Sequence, residues 1–198
     1  QSRSSAASDV YKRQLLYDRV VEVSERLDAK GNVVRNLDEE SVREALRNAK
    51  NDGINGVAIA FMHSYINPIH EEKIAQIAIE ENFLQVSVSH QISPLMKLVG
   101  RGDTTVVDAY LSPILRRYVN QVSSELKNSK STKLMFMQSN GGLTDANLFQ
   151  GKDALLSGPA GGVVSMVQTG IQAGLKKLIG FDMGGTSTDV CHFSGEYE

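Results

Sequence analysis

Leu178-Ile179-Gly180-Phe181-Asp182-Met183-Gly184-Gly185-Thr186-Ser187-Thr188-Asp189-Val190 is the stretch on which the fold turns. An apolar run ends in an acid, meets a Gly-Gly pair, and continues through three hydroxyls to a second acid. The apolar run reads as a buried strand ending at Asp182, and the glycines let the chain turn tightly. The bare amides of Gly184, Gly185 and Thr186, with the Ser187 hydroxyl beside them, can face an anion with no Cβ in the way. Asp182 suits a divalent cation such as Mg²⁺, which takes one or two carboxylates and keeps several waters. A plain β-hairpin accounts for the same Gly-Gly pair equally well. Asp189, seven residues after Asp182, favours the phosphate cradle. So do Thr186 and Thr188, which a two-residue period puts on one strand face.

Two loops upstream belong beside this turn, because each follows a strand where open α/β sheets bind their ligands. Ser157-Gly158-Pro159-Ala160-Gly161-Gly162 reads as the start of a helix that ends near Gly174, with Pro159 in its first turn. Its amides and dipole favour an anion, so Gly158, Gly161 and Gly162 are candidate cofactor contacts, although small residues there also suit close packing. Ser139-Asn140-Gly141-Gly142 has strong turn chemistry and needs no ligand to explain it. The three glycine-rich turns converge only if the strands that carry them are neighbours.

The rest of the chain alternates short strands and helices. Strands are expected around a polar turn at Asp28–Asn32, at 56–61 (a continuous apolar run, hence covered on both faces), at 84–88 and at 133–137. Asp38 should cap a helix that Gly53 stops, and Asn67-Pro68 should start another. A long helix is expected over about 104–126, with Asp103 or Thr104 as its cap and Pro113 bending or splitting it. Asp108 lies inside that helix and suggests a polar contact, since Asp is a poor helix former. The alternation predicts an α/β fold with a mostly parallel or mixed sheet flanked by helices.

At 198 residues, with 41% hydrophobic side chains, the chain can bury one good core or two small ones. The net charge is −2, from 21 basic and 23 acidic residues. They are well mixed, so nothing points to nucleic acid or an anionic membrane. A single cysteine, Cys191, rules out an internal disulfide and reads as a small buried hydrophobe. The histidines lack metal spacing, and no apolar stretch reaches membrane length, so a cytoplasmic protein is expected. Residues 1–14 read as a tail outside the fold. There is no Gly-x-x-x-x-Gly-Lys-Ser/Thr, Gly-x-Gly-x-x-Gly or Gly-x-Ser-x-Gly.

Four motifs carry a family resemblance: RGDTTVVDAYLSP at Arg101 to Pro113, MQSNGGL at Met137 to Leu143, LSGPAGGVVS at Leu156 to Ser165, and GFDMGGTSTDV at Gly180 to Val190. The sequence resembles the ATP-dependent hydantoinase/5-oxoprolinase family, in its A subunit or N-terminal half. The resemblance implies an actin-like, ribonuclease-H-like ATPase fold in which Asp-x-Gly-Gly-Thr hairpins hold the phosphates of ATP and Mg²⁺. It implies opening of a cyclic amide, 5-oxoproline or a hydantoin, after ATP activates the carbonyl. By it, Asp182 matches the metal and catalytic position, Gly184, Gly185 and Thr186 the phosphate motif, and Asp189 a catalytic partner.

The family also carries an earlier Asp-x-Gly-Gly-Thr motif, an adenosine-binding region and often a B subunit or C-terminal half. None of these is among the 198 residues. The expectation is therefore a fragment with little activity alone, from an oligomeric parent. Residues 15–131 would be an N-terminal domain portion and 132–198 the start of the ATPase domain. The rival readings are an ATPase-like subunit of a ketone carboxylase, a sugar or acetate kinase-like phosphotransferase, and a non-catalytic actin-like binding module.

Overall fold

The structure, a computed structural model, describes residues 15–126, 133–185 and 187–197. The expected tail at 1–14, the boundary at 131/132 and Thr186 lie outside the described residues. The chain divides into two compact units, one ending at Tyr110 and the other beginning at Leu111.

In the first unit, β1 (Arg26–Leu27) and β2 (Val33–Arg35) pair antiparallel about the expected polar turn. Asp28 closes that turn by accepting from the amides of Lys30 and Asn32, both at 2.8 Å, and Gly31 has φ +84°. Helix α1 (Glu39–Asn51) is capped by Asp38, which accepts from the Ser41 amide. The chain leaves it through Gly53 at φ +86°. Strand β3 (Gly56–Ile59), helix α2 (Ile69–Glu80) and strand β4 (Gln85–Val88) form a β-α-β unit, with β3 and β4 parallel and Gly56 opposite Gln85. Val42, Leu46, Ile59, Ile74, Ile77, Phe83 and Val88 make its core. Gly56 and Ala58 are exposed, so β3 is not covered on both faces as its apolar run suggested.

After the short α3 (Ser89–Ile92) comes α4 (Leu98–Leu126), which starts six residues before the expected position. Asp103 and Thr104 are therefore inside the helix and cap nothing, and the Thr104 hydroxyl donates back to Gly100 O at 2.8 Å. Pro113 does not split the helix. Asp108 does make its polar contact, accepting from the Ser87 hydroxyl at 2.7 Å.

The second unit holds the part of α4 from Leu111 onward, two antiparallel hairpins and one further long helix. Strands β5 (Met135–Met137) and β6 (Leu143–Asp145) flank the Ser139–Gly142 turn. A short α5 (Gly151–Ala154) leads into α6 (Ser157–Gln172), and Gly174 at φ +77° ends it. Strands β7 (Leu178–Met183) and β8 (Thr188–Phe193) form the last hairpin. Every sheet among the described residues has two strands, and only β3–β4 is parallel. The fold is thus mixed α/β, and in place of the one mostly parallel or mixed sheet that the alternation suggested, the described residues form a set of small sheets.

Candidate phosphate and cation site

The Gly-Gly turn is the tip of an antiparallel hairpin, with the Gly184 amide donating to Ser187 O at 2.9 Å. Asp182 and Asp189 are direct cross-strand partners. Opposite residues in such a ladder share a face, so the two carboxylates stand side by side. Both are exposed, and so is most of β7, which corrects the reading of Asp182 as the end of a buried strand. A hairpin edge facing solvent keeps a charged pair hydrated, whereas a buried strand end would not.

The same face continues through Gly180 and Leu178 on β7 and Cys191 and Phe193 on β8, and α6 packs on it. A Cβ at Gly180 would overlap Cys191 Sγ and come within 2.6 Å of Met166 Sδ, and one at Gly170 would come within 2.8 Å of Leu178 Cδ2. These two glycines let helix and hairpin touch. Cys191 is half-buried there, with Sγ 3.7 Å from Met166 Sδ, in keeping with a small packing residue.

The two contacts also fix direction. Helix α6 runs opposite to β7, with Gly170 beside Leu178 and Met166 beside Gly180. Back from Gly170 to Ser157 the helix covers about 20 Å. Forward from Leu178 to Gly184 the strand covers about 20 Å as well. The first turn of α6 and the glycine turn therefore lie toward the same end of the helix and hairpin, with the carboxylate pair just before the turn on the helix-facing side. A Cβ at Gly158, Gly162 or Gly185 would meet nothing within 4 Å, so these backbones border open space.

The start of α6 has no capping side chain of its own. Leu156 is its N-cap, and the Ser157 hydroxyl turns away to donate to Ala154 O at 2.9 Å. The Ser139–Gly142 turn reaches the same place: the Leu156 amide donates to Ser139 Oγ at 2.9 Å, and Cβ positions at Gly141 and Gly161 lie 3.3 Å from Val164 Cγ2 and 3.7 Å from Met137 Cγ. The Ser139–Gly142 turn meets the start of α6 directly, and the hairpin that carries the Gly184 turn packs on the same helix through Gly180 and Leu178; the link is α6 and not neighbouring strands, since β5–β6 and β7–β8 are separate sheets.

As a donor set the site fits a hydrated Mg²⁺ carrying phosphates. Two hard carboxylate oxygens are what that ion takes from protein, while amides and a helix N-terminus suit the phosphates. Among the described residues no group of three or more His, Cys, Asp and Glu could form an all-protein cage. Gly184, Gly185 and Ser187 lie at the hairpin tip, and Gly158, Gly161 and Gly162 on the first turns of α6. Thr186 lies outside the described residues.

Sequence reasoning missed a polar cluster in the first unit, at the carboxyl ends of β3 and β4. Arg101 and Glu71 are both fully buried. Arg101 donates to the carbonyls of Phe61, Met62, Leu95 and Met96 and to Ser89 Oγ. Glu71 accepts from the Phe61 amide at 2.9 Å, the Ser89 hydroxyl at 2.5 Å and the His90 amide at 3.0 Å. This donor and acceptor capacity is spent inside the protein, so the cluster ties two loops to α4. Its signal in the sequence was a run of polar residues at helical spacing, Arg101, Thr105, Asp108 and Ser112, all of which are buried. A concavity of about 410 Å³ lined by Glu25, Arg26, Val34 and Arg35 involves none of these residues.

The hydantoinase/oxoprolinase family model matches residues 101–198, and the model of the hydantoinase/oxoprolinase N-terminal region matches residues 1–82. The chain belongs to the hydantoinase/oxoprolinase family. This family member is 40% identical to the 5-oxoprolinase of Saccharomyces cerevisiae over 90% of its length, and it spans 16% of that protein. Two solved structures resemble it. One is acetone carboxylase, the enzyme of an ATP-dependent acetone carboxylation, in a nucleotide-free structure, with TM-score 0.80 and 30% identity over 88% of this chain and 26% of that one. The other is the ATP-dependent caprolactamase of Pseudomonas jessenii, with TM-score 0.75 and 30% identity over 86% of this chain and 25% of that one. The hydantoinase/oxoprolinase chain is thus a mixed α/β segment that spans between 16% and 26% of these relatives.

Proposed function

We propose that this chain supplies part of the ATP site of an ATP-dependent cyclic amide hydrolase, which opens 5-oxoproline or a hydantoin ring. The observation that carries the reading is the cross-strand pair Asp182 and Asp189, set just before a glycine turn on the hairpin face against which a helix with no capping side chain packs. In this reading Asp182 holds Mg²⁺ with Asp189 as its partner, and Gly184, Gly185, Thr186 and Ser187 meet the phosphates. Gly158, Gly161 and Gly162 let α6 present its amides to the same anion.

An unstrained amide carbonyl is a poor electrophile. Transfer of the γ-phosphoryl group to the amide oxygen makes the carbon one that water can attack, and the protein's share is positioning and charge stabilisation. The rest of the clamp, an actin-like ATPase fold begun at 132–198, would come from other parts of the full-length protein, with a B subunit or C-terminal half completing an oligomeric cytoplasmic enzyme. No helix among the described residues is long and apolar enough to cross a membrane.

The likeness to acetone carboxylase supports a second reading in the same class, in which ATP activates a substrate for carboxylation. The two separate by assay of the full-length protein with its B subunit or C-terminal half. ATP-dependent opening of 5-oxoproline or hydantoin, lost in Asp182→Asn, supports the first reading. ATP hydrolysis coupled only to ketone and bicarbonate supports the second.

A further inference from the structure

We infer that Ser139 is a positioning residue for nucleotide binding: its hydroxyl holds the start of α6 so that the first amides of the helix face the phosphates. The inference rests on the reading of the α6 start as part of the ATP site.

The hydroxyl sits at a junction. It donates to Asp153 O at 2.7 Å and accepts from the Leu156 amide at 2.9 Å, while the Ser139 amide donates to the same Asp153 carbonyl at 2.7 Å. One residue thereby ties the last turn of α5 to the N-cap of α6, across fourteen and seventeen positions of sequence. Local chemistry cannot do this. Leu156 has no side-chain acceptor, and Ser157, whose hydroxyl could cap, donates to Ala154 O instead.

The grip is made at the Leu156 amide, one residue before the helix proper, and not at the amides that follow. A conventional cap would accept from the second or third helical amide and fill the anion position. Ser139 fixes the helix start from behind and leaves those amides without a side-chain partner. Pro159 has no N–H, so the donors in the first turn narrow to Ser157, Gly158 and Ala160, and the last of these bonds to Leu156 O at 3.0 Å.

The turn that carries Ser139 is itself braced. Asn140 Oδ1 accepts from the Gly142 amide at 2.8 Å, the Gln138 amide donates to Gly142 O at 2.8 Å, and Gly141 has φ +81°. Gly141 lies close against Val164, so the turn meets α6 two helical turns beyond the N-cap as well. Held at two heights, the first turns of α6 cannot rotate about their own axis without breaking one of these contacts.

The test is titration of Mg·ATP into the full-length protein, with unfolding temperature measured in parallel. Ser139→Ala should weaken binding about five- to tenfold, the effect of one lost hydrogen bond at a partly exposed junction. Ser139→Thr, which keeps the hydroxyl, should restore it, and Ser139→Cys should bind weakly. Val167→Ala, which hollows the packing face of the same helix, should lower the unfolding temperature at least as much and leave Mg·ATP affinity near wild type. Wild-type affinity in Ser139→Ala or Ser139→Cys overturns the inference, as does equal weakening by Val167→Ala. Failure of the wild-type protein to bind Mg·ATP overturns the function reading first and this inference with it. Binding lost in Asp182→Asn but unchanged in Ser139→Ala and Ser139→Cys overturns this inference alone.

Discussion

Asp182 and Asp189 occupy opposite positions of the β7–β8 ladder, two carboxylates on one face with no basic side chain between them in the register. Like charges directly opposite each other cost roughly 0.2–1 kcal/mol in a sheet. A cation between the two carboxylates, as proposed, would relieve that cost. In EDTA, Asp182→Asn or Asp189→Asn should therefore leave the unfolding temperature of the full-length protein unchanged or slightly raised. With Mg·ATP present, the stabilisation seen in wild type should vanish in both variants. Differential scanning fluorimetry under the two conditions checks this.

Gly180 is the contact point of hairpin and helix. Gly180→Ala should destabilise the protein by about 1–3 kcal/mol, because the new methyl overlaps Cys191 Sγ and crowds Met166. Gly158→Ala, at an open position on α6, should cost far less in stability. Comparing denaturant midpoints of the two variants tests whether crowding or glycine flexibility governs these sites.

Arg101 should be the least replaceable arginine of the chain. Arg101→Lys keeps a charge but loses the planar fork that gathers four carbonyls and Ser89. The expected loss is about 3–5 kcal/mol, the range for breaking a buried charged network. Limited proteolysis should then open the 61–66 and 93–97 loops first.

Acid should weaken the α1–α2 contact. Hydrogen bonding from Arg43 holds the Glu80 carboxyl below its ordinary value of 4.5, and Arg47 and then Arg43 do the same for Glu81. Folded values below unfolded ones mean stabilisation that is complete above 4.5 and disappears as pH falls through the folded values. Denaturant midpoints between about pH 6 and about pH 3 should therefore fall more steeply for wild type than for the Glu80→Gln, Glu81→Gln double variant.

Much of this arrangement was legible in the residues. Asp38, Gly53, Asn67-Pro68 and Gly174 marked helix ends correctly, since capping and left-handed turns are local chemistry. The hairpin at Gly184-Gly185 was visible as one of two readings. What failed was non-local. The apolar run Leu178–Phe181 promised burial for β7, yet Ile179, Phe181 and Met183 are exposed. The start of α4 was placed too late, because Asp103 and Thr104 look like caps, whereas the buried fork of Arg101 holds the Leu95 and Met96 carbonyls just ahead of the helix. The convergence of three glycine turns on α6 depends on Ser139 reaching Leu156 and on Met166 meeting Gly180, pairings that no period in the sequence encodes.

The central claim is that the carboxylate pair and the glycine backbones form one Mg·ATP site. Calorimetric titration of Mg·ATP into the full-length protein, wild type against the Asp182→Asn, Asp189→Asn double variant, tests it most directly. The account predicts Mg²⁺-dependent nucleotide binding in wild type and at least about a hundredfold loss in the double variant, as expected when both hard ligands to the ion are removed. Unchanged affinity in the double variant, with the fold intact, would contradict it.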